Sequence, residues 1–292
     1  MEYWIIFAFA SAFFAGLTSI LAKIGLKGVD SDLATALRTI VVLGFAWAVV
    51  FLIGSQSTIS DISTYSLIFL ILSGLATGAS WLCYFRAVQI GQVSKVSPID
   101  KSSTVLAMVL AFIFLGEGFS VWTAAGMFLM IIGTFLMIQR TGTDEEKKEA
   151  PADRRSWIIY ACLAAFFAAL TSILGKIGIE GVESNLGTAI RTIVVLLMAW
   201  IIVLVQQKHR TIKDIRKRNW NFIILSGLAT GASWLCFYNA LQNGPASIVV
   251  PIDKLSIVVT VIFAFLILKE RISRRAALGL MILTIGTLVL LL

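Results

Sequence analysis

The sequence SGLATGASWLC stands at Ser73–Cys83 and occurs again, letter for letter, at Ser226–Cys236. The same offset aligns residues 1–139 with residues 154–292 without a gap, and about half of the aligned residues are identical. A repeat of this length indicates that one structural unit is encoded twice. Matching positions of the two copies are therefore compared throughout.

The composition indicates a membrane protein. Of the 292 residues, 59% are hydrophobic and 14% are charged, whereas a typical soluble domain has about 25% charged residues. A bilayer-spanning helix needs about 20 mostly apolar residues. Ten stretches meet this description: 4–25, 33–54, 66–88, 96–115, 119–139, 157–178, 186–207, 219–241, 249–268 and 273–292. We predict an all-α polytopic membrane protein with ten transmembrane helices, five in each repeat.

One long polar segment interrupts these stretches. Thr141–Arg155 carries charges of both signs and a proline, as is typical of a solvated connector. The predicted organisation is thus a first five-helix repeat at 1–140, a charged linker at 141–155 and a second five-helix repeat at 156–292.

The two copies differ in where their basic residues lie. Lys208–Arg218 has six Lys or Arg residues and Lys269–Arg275 has four, whereas the matching segments Ser55–Tyr65 and Gly116–Trp122 have none. Basic residues mark the cytoplasmic ends of spans, so the two repeats are predicted to be inverted relative to each other. This arrangement is typical of secondary transporters. By the same rule the linker is predicted to be cytoplasmic and both termini to lie on the other side.

The fourth span of each repeat ends in a characteristic way. Leucine-rich runs lead into Leu-Gly-Glu117 and Leu-Lys-Glu270, and the second continues as Arg271-Ile-Ser. Together with the ten spans, this resembles the EamA branch of the drug/metabolite transporter superfamily. Each half also resembles the short, single-repeat members of that family. The resemblance implies transport of small metabolites through a central cavity between the repeats, without ATP, and it implies cytoplasmic termini, opposite to the charge pattern.

Ionisable residues inside predicted spans are the candidate site residues, since burying one costs about 2.5–3.5 kcal/mol on insertion scales. They form duplicated pairs, to which two tryptophans that could stack on a substrate are added: Asp100 and Asp253, Lys101 and Lys254, Arg38 and Arg191, Lys23 and Lys176, Trp81 and Trp234. If the cations face a cavity, it suits a carboxylate or a phosphate.

Each pair also has a structural explanation. Ser97 and Pro98 could begin a helix whose positive end stabilises Asp100, although Val250 replaces that serine in the second copy. The lysines and arginines could extend to the membrane interface, where tryptophans are also common. Both interpretations remain open for every pair.

The sequence lacks the motifs that other classes of function require. There is no Walker motif, no metal-ligand spacing and no Ser/His/Asp set, and the single histidine, His209, lies in a loop. We predict no enzyme, no cofactor and no metal, and the net charge of +8 is attributed to topology and not to nucleic-acid binding.

The predicted function is secondary transport of a small, anionic or zwitterionic metabolite by alternating access. The predicted location is the cell (inner) membrane, with the lipid bilayer and the substrate as partners, as a monomer or homodimer. Two alternatives are kept: a flippase for a lipid-linked sugar or similar amphiphile, and a non-transporting membrane scaffold. A closed aqueous cavity favours the carrier, a lateral gap the flippase and a filled interior the scaffold.

Overall fold

The computed structural model describes residues 3–25, 28–90, 96, 99–137, 156–268 and 273–292. The linker at 141–155, Ser97, Pro98 and Glu270 lie outside the described residues. The α-helices are α1 (Tyr3–Gly25), α2 (Ser31–Ile53), α3 (Thr64–Ile90), α4 (Ser103–Leu115), α5 (Val121–Met137), α6 (Ser156–Gly178), α7 (Ser184–Val205), α8 (Lys217–Asn243), α9 (Ala246–Lys254), α10 (Ser256–Leu268) and α11 (Arg274–Val289). Short 3-10 helices at Ser55–Asp61 and Lys208–Asp214 follow α2 and α7.

Seven helical segments in the described ranges are long and apolar enough to cross a membrane: Tyr3–Gly25, Ser31–Ile53, Thr64–Tyr84, Ser156–Gly178, Ser184–Val205, Lys217–Asn243 and Ala246–Ile267. A shorter apolar helix is Val121–Met137. The chain is thus an all-helical, multi-pass membrane protein. Within the described residues, seven full-length spans stand against the ten predicted, because the described parts of α4, α5 and α11 have 13, 17 and 16 residues.

The ninth predicted span is a broken helix. Pro251 lies inside α9, which ends at Lys254, and α10 begins two residues later at Ser256. Proline lacks the N–H that would bond to the Ser247 carbonyl four residues earlier, so it weakens the turn before it. The interruption itself lies after this proline, at Leu255, whose N–H bonds to the Ile252 carbonyl in a tighter turn. Asp253 and Lys254 therefore lie at the discontinuity. In the second copy, Pro251 thus lies inside its helix and not at the first position.

The most extensive helix packing joins one half of the chain to the other. The main pairs are α1 with α8, α3 with α6, α2 with α7 and α5 with α11. In the first two pairs, the first helix of one repeat packs against the third helix of the other repeat. In the last two pairs, a helix packs against its own duplicate. A helix of one half thus buries its surface mainly against the other half.

Helix α5 and its duplicate α11 run antiparallel at a glycine contact. Gly126 lies against Gly286, and Gly133 lies against Gly279 and Leu283. A Cβ added at Gly133 would meet the Leu283 backbone nitrogen at 2.5 Å, so only glycine permits this close approach. Because the sequence numbers rise on one helix as they fall on the other, equivalent helices of the two halves point in opposite directions here.

Candidate functional site

A polar cavity of about 300 Å³, which we name the main cavity for the charged residues in its wall and not for its size, lies between the two halves. Helices α3 of the first half and α6, α7, α8 and α9 of the second half provide most of its lining. Five of the ten predicted site residues line it: Trp81, Arg191, Trp234, Asp253 and Lys254. The structure thus brings together residues that are far apart in the sequence, and three of them are charged.

Arg191 is the most enclosed charged group of this cavity, with only 2% of its surface exposed. Its Nε donates to Ser73 Oγ at 2.8 Å, and its Nη2 donates to Thr77 Oγ1 at 2.5 Å. The guanidinium carbon lies 4.9 Å from the Tyr238 ring centre and 5.3 Å from that of Trp234, within the range of a cation–π interaction. Nη1 has no hydrogen-bond partner in the described part of the chain.

The duplicated motif positions this arginine. Ser73 and Thr77 are four residues apart on α3, so both hydroxyls lie on one face of the helix. Ser73 Oγ donates to the Thr171 carbonyl at 2.7 Å, and Thr77 Oγ1 donates to the Ser73 carbonyl at 3.0 Å. Each hydroxyl thus donates its hydrogen bond to a backbone carbonyl, and the lone pairs of its oxygen accept from Arg191.

Asp253 is positioned by the first half of the chain. Ser11 Oγ of α1 donates to Asp253 Oδ1 at 2.7 Å and lies 3.3 Å from Ser233 Oγ. Neighbouring Lys254 lines the main cavity and also a cavity of about 10 Å³ that it shares with Lys101, a space for about one water molecule. The two duplicated lysines therefore approach each other between the halves.

The remaining candidates lie elsewhere. Asp100 pairs with Lys101 at 3.9 Å, and neither is among the described residues that line the main cavity. Arg38 lines a separate cavity of about 20 Å³ beside Ser226. Lys23 is exposed at the end of α1. Of these residues, only Lys101 is near the main cavity, through its shared space with Lys254.

Lys176 belongs to a second ionic cluster, together with Glu117 of the glutamate motif. Glu117 accepts from the backbone N–H of Ala246 at 2.6 Å and of Ser247 at 2.8 Å, and so caps α9 from the other half. Lys176 Nζ lies 3.5 Å from Glu117 Oε1 and donates to the Gly244 carbonyl at 2.5 Å. A carboxylate at a helix N-terminus is stabilised by the free N–H groups and the helix dipole.

The signal for this cluster was present in the sequence. Glu117 is duplicated as Glu270, and Pro245 stands directly before α9. What the sequence could not show is that the glutamate caps a helix of the other repeat and not of its own. Glu117, Lys176, Glu180 and Gln242 also line a cavity of about 500 Å³.

A third ionic cluster occupies the opposite end of the α1–α8 pair. Gly25 packs against Phe222 at this end, whereas Trp4 packs against Gly244 at the other. Here Lys208 pairs with Asp30 at 3.0 Å and with Asp32. Partial burial by itself lowers the pKa of Lys208, but the hydrogen bonds from its ammonium group to Asp32 and Asp30 outweigh this effect and raise that pKa. The two halves are thus joined by charges at both ends of the bundle.

Comparisons with known proteins agree with this architecture. An uncharacterized transporter of Sinorhizobium sp., from the cobO 3' region, is 43% identical over 136 residues, which cover 47% of this chain and 96% of the relative. The uncharacterized transporter YxxF of Bacillus subtilis is 25% identical over 202 residues, 68% of this chain and 60% of that protein. A solved crystal structure shares the fold with a TM-score of 0.77 at 15% identity, covering 99% of this chain and 96% of that one.

One family model matches each half of the chain separately. The model of the EamA-like transporter family matches residues 2–139 and, separately, residues 155–292. The resemblance inferred from the repeat and the glutamate motif is therefore confirmed. With both halves of the chain matched, the protein belongs to the EamA-like transporter family.

Proposed function

We propose that this protein is a secondary carrier that moves a small polar metabolite across the membrane by alternating access between two inverted five-helix repeats. The observation that carries the proposal is the polar cavity between the halves, with Arg191, Asp253 and Lys254 in its wall. Ionisable side chains within membrane-spanning segments are expensive and mark substrate or ion pathways.

The direction of equivalent helices supports the inverted arrangement. Besides α5 and α11, the duplicates α2 and α7 pack with Leu33 and Leu37 near Ala199 and Val203. At the other end of this pair, Ala46 and Val50 cluster with Leu186 and Ala189. Two duplicated helix pairs thus run antiparallel, as inverted repeats require. We propose that all ten predicted segments cross the membrane in this arrangement.

The broken helix α9–α10 supports a transport role for this cavity. Carriers built from inverted repeats bind their substrates near the membrane midplane, beside discontinuous helices. Asp253 and Lys254 lie at such a discontinuity and line the cavity. The aspartate is proposed to contact the substrate or to carry a coupled proton.

The size of the cavity favours a small solute over the flippase and scaffold alternatives. A volume of about 300 Å³ is at the lower end of the range for small-molecule sites. A lipid-linked sugar needs a much larger, laterally open path, and a scaffold needs no charged cavity at all. The flippase is nevertheless kept as an outcome of the test.

The test uses the full chain, purified and reconstituted in liposomes. Vesicles loaded with a panel of unlabelled metabolites are assayed for counterflow uptake of the same labelled compounds. We expect saturable uptake of at least one compound, reduced by Asp253→Asn and preserved in the exposed control Asp61→Asn. Equal uptake with protein-free vesicles for every compound would contradict the carrier, and movement of a fluorescent lipid between leaflets in its place would indicate a flippase.

The orientation and the host membrane are proposed from the sequence charges. Lys208, Arg210 and Lys213 lie with other basic residues after α7, so we propose that this end faces the cytoplasm of a cell (inner) membrane and that both termini face outward. Single cysteines at Ser57 and Thr143, in a background without the native cysteines, test this. An impermeant thiol reagent on intact cells should label position 57 and not 143.

A further inference from the structure

We infer that Nη1 of Arg191 is the docking point for a carboxylate and that the transported molecule is a small monocarboxylate. The inference rests on the carrier function proposed above and specifies the ligand of the same cavity. It is drawn from the hydrogen bonds of one guanidinium group and from the charges around it.

The guanidinium of Arg191 is only partly satisfied. Ser73 and Thr77 accept from Nε and Nη2 and hold the group in place. Nη1 carries two further N–H groups and has no partner among the described residues, although it is buried. A buried donor without a partner is costly, and a guanidinium is the side chain best suited to bind an oxyanion. The protein thus holds a buried donor without a partner on a residue that lines the cavity.

Binding must involve a movement of the site. Nη1 is covered by its neighbours in this conformation, so a carboxylate reaches it only after the side chains around it shift. The new hydrogen bond then compensates for that rearrangement. The carboxylate therefore binds the shifted conformation more tightly than this one. Such a difference in affinity is the condition for a ligand to change a conformational equilibrium.

The charges that line the cavity select a single negative charge. Arg191 and Lys254 are cationic and Asp253 is anionic, which leaves one net positive charge. Lys101, which shares a small space with Lys254, is paired with Asp100 at 3.9 Å and adds no net charge. A monocarboxylate neutralises the cavity, whereas a dianionic phosphate would leave it negative. Since net charge is costly to bury in a membrane protein, the monoanion is favoured.

Among the described residues, Arg191 is the one arginine in the wall of this cavity. The duplicate residue, Arg38, lies at a separate cavity of about 20 Å³ with Ser226. The anionic end of the substrate therefore has a single guanidinium to dock on, next to α3 and α7, whereas the other cation of this cavity, Lys254, is an ammonium group. Trp81 of the first half also lines the cavity and offers an apolar surface to the rest of a small molecule.

The experiment compares matched pairs of probes on the purified full-length protein. Benzoate, lactate and acetate are each tested against the neutral amide of the same skeleton, together with inorganic phosphate, by thermal stabilisation and by equilibrium binding. The variants are Arg191→Gln, Arg191→Lys and the matched control Arg38→Gln at the duplicate position. We expect wild type to bind at least one carboxylate about tenfold more tightly than its amide, since hydrogen bonds to charged groups are the stronger ones.

The variants decide the role of the residue. Arg191→Gln should lose this preference, Arg191→Lys should keep only part of it, and Arg38→Gln should retain it. An unchanged preference in Arg191→Gln, tighter binding of phosphate than of any carboxylate, or no binding of any carboxylate would overturn the inference. If Arg191→Gln does not fold, the carboxylate-against-amide comparison in wild type still decides the ligand class. Saturable uptake of neutral metabolites alone would retain the carrier and reject the monocarboxylate.

Discussion

Arg38 and Arg191 occupy the same position in the two copies of the repeat, yet their surroundings differ. Arg191 donates to Ser73 and Thr77, is almost completely buried and lines the main cavity. Arg38 is half-buried and lines a small separate cavity. The difference shows that duplication of a residue does not duplicate its contacts.

The hydroxyls near the two arginines explain part of this difference. Beside Arg191, Ser73 donates across to the Thr171 carbonyl of α6. Beside Arg38, Ser226 donates within its own helix to the Ile223 carbonyl instead. The aromatic position differs as well, because Tyr238 of the second copy aligns with Phe85 of the first. The two arginines thus differ both in a hydroxyl direction that the identical motif does not encode and in one aromatic residue that the sequence does.

The largest expected effect comes from removing each arginine in turn. Arg191→Gln should reduce transport by about 30-fold or more, because truncating one member of a buried hydrogen-bonded charge network costs 2–5 kcal/mol. Arg38→Gln should reduce it less than tenfold. Counterflow rates in liposomes measure both. Equal losses in the two variants would mean that the arginines act symmetrically after all.

A pair of glycines provides the symmetric reference. A Cβ added at Gly74 would meet Val194 Cβ at 2.7 Å, and one added at Gly227 would meet Val41 Cβ at 2.7 Å. Gly74→Ala and Gly227→Ala should each destabilise the protein by about 1–3 kcal/mol through overpacking. Melting temperatures in detergent should fall by similar amounts, whereas Gly44→Ala, where no neighbouring atom lies within 4 Å, should change little. A much larger fall for one of the pair would show that the backbone is asymmetric too.

The aromatic difference is tested by making the second copy resemble the first. The Tyr238 hydroxyl lies beside Gly175, near Ser73 Oγ, and Tyr238→Phe removes this buried hydroxyl but keeps the ring over Arg191. We expect a loss of about 0.5–1.5 kcal/mol in stability and weaker carboxylate binding. Trp234→Phe changes the other ring beside Arg191 and leaves the Tyr238 hydroxyl in place, so it serves as the comparison. Unchanged binding in Tyr238→Phe would indicate that the ring alone positions the arginine.

The smallest effect is expected at the Lys208 cluster. Its counterpart in the first copy is Ser55, which donates to the Val50 carbonyl and forms no ion pair. Because the pKa of Lys208 is raised in the folded protein, its stabilising contribution is fully present below the unfolded pKa of about 10.4 and is lost as the pH rises through the folded pKa. Lys208→Ser should cost less than about 1 kcal/mol at neutral pH.

The pH dependence gives the sharper measurement for this cluster. Melting temperatures of wild type and Lys208→Ser, followed from about pH 8 to pH 11, should converge as the lysine loses its proton. Lys213→Ser, an exposed lysine of the same 3-10 helix, is the control. A constant difference across this range would show that the ion pair does not stabilise the fold.

The sequence by itself determined the class of the protein. Apolar stretches of about 20 residues can only be helices in a bilayer, because backbone groups there must bond within the segment. The repeat and the Glu117 motif identified the family. The ends of most helices were also predictable, as for α1 and α6, because polar turns with Gly28 and Gly181 follow them.

Only the tertiary structure decided which duplicated residues meet. Arg191 and Arg38 have the same neighbours in sequence, but their partners come from the opposite half and differ in the direction of single hydroxyl bonds. The capping of α9 by Glu117 likewise depends on a contact 129 residues away along the chain. The physical reason is that local sequence sets the helix and its polar face, whereas the environment of a side chain depends on the surface packed against it.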